Sequence, residues 1–92
     1  MEHPTVVRSP VALGQALARL RYERGLTQEE LAEALGISRR YVYEVEAGRP
    51  TLWSTRLFEL LRELGAHLEV VQADADVRGR EEGEAHDPGG AP

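Results

Sequence analysis

The 92-residue sequence predicts an all-α domain, a bundle of four to five short helices, with a C-terminal β-strand behind it. Three observations carry this. Hydroxyl residues suited to capping stand ahead of apolar stretches at Ser9, Thr27, Ser38 and again near Thr51 or Ser54. Glycines that can turn left-handed follow those stretches at Gly25, Gly36, Gly48 and Gly65. Between cap and glycine, large apolar residues recur at helical spacing.

Each element has its own signal. Ser9-Pro10 opens the first helix, with serine as N-cap and proline at the first helical position. Leu13, Leu17 and Leu20 are spaced for one buried stripe. Thr27-Gln28-Glu29-Glu30 reads as a capping box, and Leu26 with Leu31 as the hydrophobic staple around it. Leu31, Ala32 and Leu35 continue that helix on one stripe until Gly36. A single residue, Ile37, separates this glycine from the next cap, Ser38, and Ile37 pairs with Val42 as a second staple. Val42 and Val45 then face inward, which turns Arg39, Arg40, Tyr43, Glu44 and Ala47 outward. The last helix runs to Leu64, with Leu57, Leu60, Leu61 and Leu64 as its expected apolar face.

So short a connection forces the second and third helices to cross steeply, as in a helix-turn-helix. The third helix offers two arginines and a tyrosine on one outer face, the arrangement that fits a helix into the major groove of DNA. A helical hairpin with solvated arginines is the plain alternative. Two caps, two staples and a conforming turn in one stretch favour DNA.

After Gly65, Leu68 and Val70 alternate with polar neighbours, the pattern of a short strand. A lone strand needs a partner edge. Thr5-Val6-Val7-Arg8 of the same chain is one candidate; the same strand of a second chain, across a two-fold axis, is the other. The second is favoured, because dimers suit a DNA reader, and the two pairings are compatible. The expected layout is an N-terminal arm or short strand over 1–8 and a helix-turn-helix domain over 9–65. A dimerisation strand over 66–73 follows, with Leu68, Val70 and Val71 as its contacts, and then an acidic tail over 74–92. The tail holds one large apolar residue, Val77, against six acids and four glycines, too little to offset its ordering entropy, so disorder is expected there.

Net charge is −5, which looks wrong for a nucleic-acid partner until it is divided. Residues 1–62 carry nine arginines and eight acids; residues 63–92 carry two arginines and eight acids. The acid therefore sits behind the globular part. Every basic residue outside the three histidines is arginine, whose fork matches guanine O6 and N7. There is no cysteine, hence no disulfide or thiolate metal site, which suits the cytosol. No signal peptide or membrane-length apolar run is evident. His3, His67 and His86 are scattered, and no hydrolytic, metal or phosphate-loop constellation occurs, so no enzyme, metal or cofactor is expected.

The sequence resembles the Xre/Cro–cI family of helix-turn-helix regulators. The carrying residues are Leu17, Arg21, Gly25 through Ala32, Leu35-Gly36-Ile37-Ser38, Val42 and Glu46-Ala47-Gly48. Within it the chain is similar to HipB-type antitoxins in its length, in Pro50-Thr51-Leu52 leading into the last helix, and in the strand after Leu64-Gly65. The resemblance implies a lambda-repressor-like bundle and a homodimer on a double-stranded operator. It also implies a HipA-like kinase toxin as partner, and places the protein in the cytoplasm. By position it puts Gln28 and Ser38 on DNA phosphate, and Arg39, Arg40 and Tyr43 at bases. Glu44 would accept from cytosine or orient an arginine, and Tyr41 and Arg49 would contact the backbone. It further implies a partly buried Arg21–Glu46 ion pair.

Overall fold

The computed structural model describes residues 4–73; the acidic tail expected over 74–92 lies outside the described residues. The order of elements is β1 (Thr5–Val7), α1 (Pro10–Glu23), α2 (Gln28–Leu35), α3 (Arg39–Glu46), α4 (Leu52–Glu63) and β2 (Leu68–Val70). Four helices and a two-stranded antiparallel sheet thus make up the described chain.

Every helix starts on a hydroxyl cap. Ser9 accepts from the Ala12 amide, Thr27 from Glu30, Ser38 from Tyr41 and Thr51 from Ser54. Thr27 and Thr51 close full capping boxes, with Glu30 and Ser54 returning the bond. Thr51, not Ser54, is therefore the cap of α4. The ends are equally uniform. After α2, Ile37 N–H donates to Ala32 O at 3.0 Å and Gly36 N–H to Glu33 O at 3.2 Å. This is the Schellman pattern, and it needs the left-handed Gly36 at φ 70°. The same pair of bonds follows the other three helices.

Val7, Ala16 and Phe58 form the innermost core, with Leu13, Leu61, Leu68 and Val70 packed on it. Two expectations are corrected here. The buried residues of α1 are Gly14 and Ala16, while Leu13, Leu17 and Leu20 are half-buried. The reason is the close approach of α3: a Cβ at Gly14 would lie 2.5 Å from the carbonyl oxygens of Val45 and Glu46. On α4 it is Phe58 that points inward, at 3% exposure, whereas Leu60 and Leu64 stand outside at 59% and 76%. Leu57 and Leu61 lie between these extremes.

Of the two strand pairings expected, the intrachain one is present. β1 and β2 pair within the chain, Thr5 opposite Val70 and Val7 opposite Leu68. Val7 is fully buried, so the N-terminal segment is drawn onto the core and offers its edge to β2. Arg19 adds a side-chain tie, donating to Thr5 Oγ1 at 2.7 Å. Leu68 and Val70 pack against their own core, and Val71 is exposed.

Candidate nucleic-acid interface

The turn Gly36-Ile37-Ser38 delivers α3 across α2 with Val42 buried and Val45 half-buried beneath it. This fixes the outer face. Arg39, Arg40 and Tyr43 are exposed along it, Ala47 continues it, and Glu44 is half-buried at its margin. Arg39, Arg40, Tyr43, Glu44 and Arg49 together line one open depression. The structure thus brings five of the eight sequence-derived candidates onto a single surface.

Within it the charges are organised. Arg40 Nε lies 3.2 Å from Glu44 Oε2, one turn along the helix. Both groups remain open to solvent, so the contact is weak, and it presents the guanidinium rather than sequestering it. Arg39 makes no ion pair among the described residues. It also borders a second depression with Tyr22, Gly25, Thr27, Gln28 and Glu29, and so spans the seam between the start of α2 and the face of α3. Ser38 is exposed, and its oxygen is engaged by the Tyr41 amide at 3.0 Å. Its hydroxyl hydrogen stays available to an acceptor.

Tyr41 lies on the far flank of α3. It lines a separate depression with Pro10, Glu44, Arg49 and Trp53, away from the Arg39 side. Trp53 was missed in the sequence. It stands 73% exposed beside Arg49 at the start of α4, and a tryptophan one residue into a helix looks like core in a pattern of apolar positions.

The face is held in place by a polar junction of three helices. Arg21 of α1 meets Glu46 of α3 through two parallel bonds, Nε to Oε2 at 2.7 Å and Nη2 to Oε1 at 3.1 Å. Its remaining nitrogen, Nη1, donates to Leu26 O at 2.6 Å. Gln28 of α2 donates its amide to Glu46 Oε1 at 2.9 Å. Burial pushes the Glu46 carboxyl upward, but the bonds from Arg21 and Gln28 and the Arg21 charge outweigh it and hold the group below its ordinary range. The bond to Glu46 correspondingly raises Arg21, against an opposing effect of burial. Gln28 is thus engaged inside the fold. A contact from it to phosphate would use its second amide hydrogen or its backbone N–H, since its carbonyl oxygen only accepts.

The fold and this face define a helix-turn-helix domain. The chain belongs to the helix-turn-helix family, whose model matches residues 17–71. It is similar to two proteins of Sinorhizobium fredii (strain NGR234). One is the uncharacterized HTH-type transcriptional regulator y4dJ, 43% identical over 60 residues, covering 64% of this chain and 78% of that protein. The other is the uncharacterized HTH-type transcriptional regulator y4mF, 29% identical over 65 residues, covering 71% of this chain and 86% of that protein. No solved structure matches the chain. Among the described residues, no helix is long and apolar enough to cross a membrane.

Proposed function

We propose that this chain is a sequence-specific DNA-binding transcriptional repressor that acts as a homodimer in the cytoplasm. The observation that carries the reading is the shared exposed surface of Arg39, Arg40, Tyr43 and Arg49 on and just behind the second helix of a helix-turn-helix. Arg39 and Arg40 read guanine edges, Tyr43 meets a thymine methyl or a phosphate, and Ser38, Tyr41 and Arg49 hold the backbone. The two relatives named as transcriptional regulators support the same reading. The finer assignment is the antitoxin of a HipBA-like operon, neutralising a HipA-like kinase toxin. Its support is the resemblance in Pro50-Thr51-Leu52 and in the segment after Leu64-Gly65, which forms β2.

The test is a gel-shift titration on the DNA upstream of the coding region, at two salt concentrations, with wild type and Arg40→Ala. The expected result is salt-dependent binding weakened about tenfold or more in the variant, as for a lost bidentate base contact. Binding no tighter than to random DNA would overturn the repressor reading and favour a protein-interaction adaptor. Growth arrest by the adjacent gene product, relieved on co-expression of this chain, tests the antitoxin assignment.

A further inference from the structure

Helix α4 has two apolar faces, and the fold uses one. Phe58 and Leu61 turn into the core. Beside that face Trp53, Leu60 and Leu64 are 73%, 59% and 76% exposed, with half-buried Leu57 between them. The spacing 53, 57, 60, 64 follows successive turns, so these four side chains form one continuous stripe along the helix. A lone chain leaves these three large apolar side chains in water and forgoes the stabilisation their burial would bring. Exposed contiguous apolar surface of this sort marks an interaction site.

The charges beside the stripe identify the occupant. Arg56 and Glu63 lie on the same flank, two turns apart and opposite in sign. Arg56 makes only a surface contact to Glu59, at 3.1 Å and 68% exposed. Glu63 makes no ion pair among the described residues. When two copies of this helix meet antiparallel about a two-fold axis, each flank faces the same flank of the partner, reversed. An axis passing between Glu59 and Leu60 then sets Arg56 of each copy against Glu63 of the other, twice over. That point is also near the middle of the apolar stripe. The surface is complementary to itself, as a two-fold interface must be.

We propose that a second copy of this chain docks on the Trp53–Leu57–Leu60–Leu64 stripe, α4 against α4, with reciprocal Arg56–Glu63 pairs. The proposal rests on the dimeric repressor reading and assigns its contact to this helix. β2 is already paired with β1 along one edge and directs Leu68 and Val70 into its own core, so it has less apolar surface left than the α4 stripe to bury against a second chain. The stripe begins at Trp53, which shares a depression with Arg49, so the contact adjoins the DNA-facing surface and can set the spacing of two recognition helices.

Trp53 is the single tryptophan of the chain, and it reports on the interface directly. The full-length protein is examined by sedimentation equilibrium and by tryptophan emission across a concentration series, as wild type, Leu60→Glu, Arg56→Glu, the double charge swap Arg56→Glu/Glu63→Arg, and Val71→Glu. The expected result is a dimer whose formation shifts Trp53 emission to the blue with the same midpoint as the mass. Leu60→Glu raises the dissociation constant roughly a hundredfold or more and keeps the helix content and melting of the dilute, monomeric wild type, because the side chain is exposed in the monomer. Arg56→Glu weakens the dimer and the swap restores it, a rescue that loss of folding cannot mimic. Val71→Glu leaves the dimer intact. A dimer that survives Leu60→Glu and is lost in Val71→Glu overturns the proposal in favour of strand pairing. A wild type that stays monomeric with constant emission overturns it as well. Operator binding is scored separately on the same samples: a wild type that ignores the operator removes the repressor reading, whatever its mass.

Discussion

Removing the Arg21 side chain should destabilise the domain by about 3 kcal/mol, a figure set by how Glu46 is left. The pair is enclosed, with side-chain exposures of 16% for Arg21 and 8% for Glu46. Arg21→Ala deletes both bonds to the carboxylate and the one to Leu26 O, leaving Glu46 with the Gln28 amide alone. Breaking a buried ion pair from one side costs about 3–5 kcal/mol, and the lower end applies because neither group is wholly shut off from water. In a domain of this size each kcal/mol corresponds to about 4–8 °C, so the melting temperature should fall by about 15 °C. The assay is thermal unfolding followed by circular dichroism at pH 7, run as a double-mutant cycle with Glu46→Ala. The two changes should be strongly non-additive, since the second removes a charge that the first has already stranded. An apolar double, Arg21→Met/Glu46→Leu, should cost less than Arg21→Ala alone. A drop of less than about 3 °C for Arg21→Ala, or additive single costs, would refute the reasoning.

Two further outcomes follow from the same region. Glu46 titrates below its ordinary value of 4.5 when folded, so its contribution is complete above that value and is lost as pH falls through the depressed one. The stability gap between wild type and Glu46→Gln should therefore be constant from pH 8 to 6 and close only in acid below about 4.5, measured by urea titration; a gap that closes near pH 6 would contradict the junction. Gly14→Ala should cost roughly 1–3 kcal/mol and weaken operator binding as well, because its methyl group meets backbone oxygens of α3 that can yield only if the recognition helix moves. Wild-type melting and affinity in that variant would show the helices free to separate.

The helices were legible because their limits are written in local chemistry. A hydroxyl cap satisfies amides within its own turn, and a glycine ends a helix by its own dihedral angles, so Thr27, Ser38 and Gly36 could be placed without knowing what lies across the core. The outer face of α3 followed from Val42 by periodicity. Packing was less legible. The α4 stretch is apolar on two sides, and periodicity alone cannot say which faces in; Leu60, expected inward, stands outside and Phe58 takes the core for that reason. Nothing local to Gly14 signals that α3 packs against it, with the Val45 and Glu46 carbonyl oxygens 2.5 Å from where a Cβ would stand. The partner of β2 was a choice between β1 and the same strand of a second chain, and burial of Val7 accounts for the intrachain edge, leaving the other edge of β2 open. Gln28 lies 18 residues from Glu46, and nothing local signals that its amide points there.

The division of α3 into two faces carries the functional argument further. Val42, Val45 and Glu46 belong to the fold, while Arg39, Arg40, Tyr43 and Ala47 are exposed on its outer face. Substitutions on the first set should move melting temperature and DNA affinity together, because the face is only as well placed as the Arg21–Glu46–Gln28 junction beneath it. Substitutions on the second should move affinity alone. Glu44 tests the boundary. It is half-buried and bonded to Arg40, so Glu44→Gln keeps its packing and removes the charge that orients the arginine. Melting unchanged with altered sequence preference would place it among the reading residues. Melting lowered in step with affinity would place it with Glu46, and the reading surface would narrow to the arginines and Tyr43.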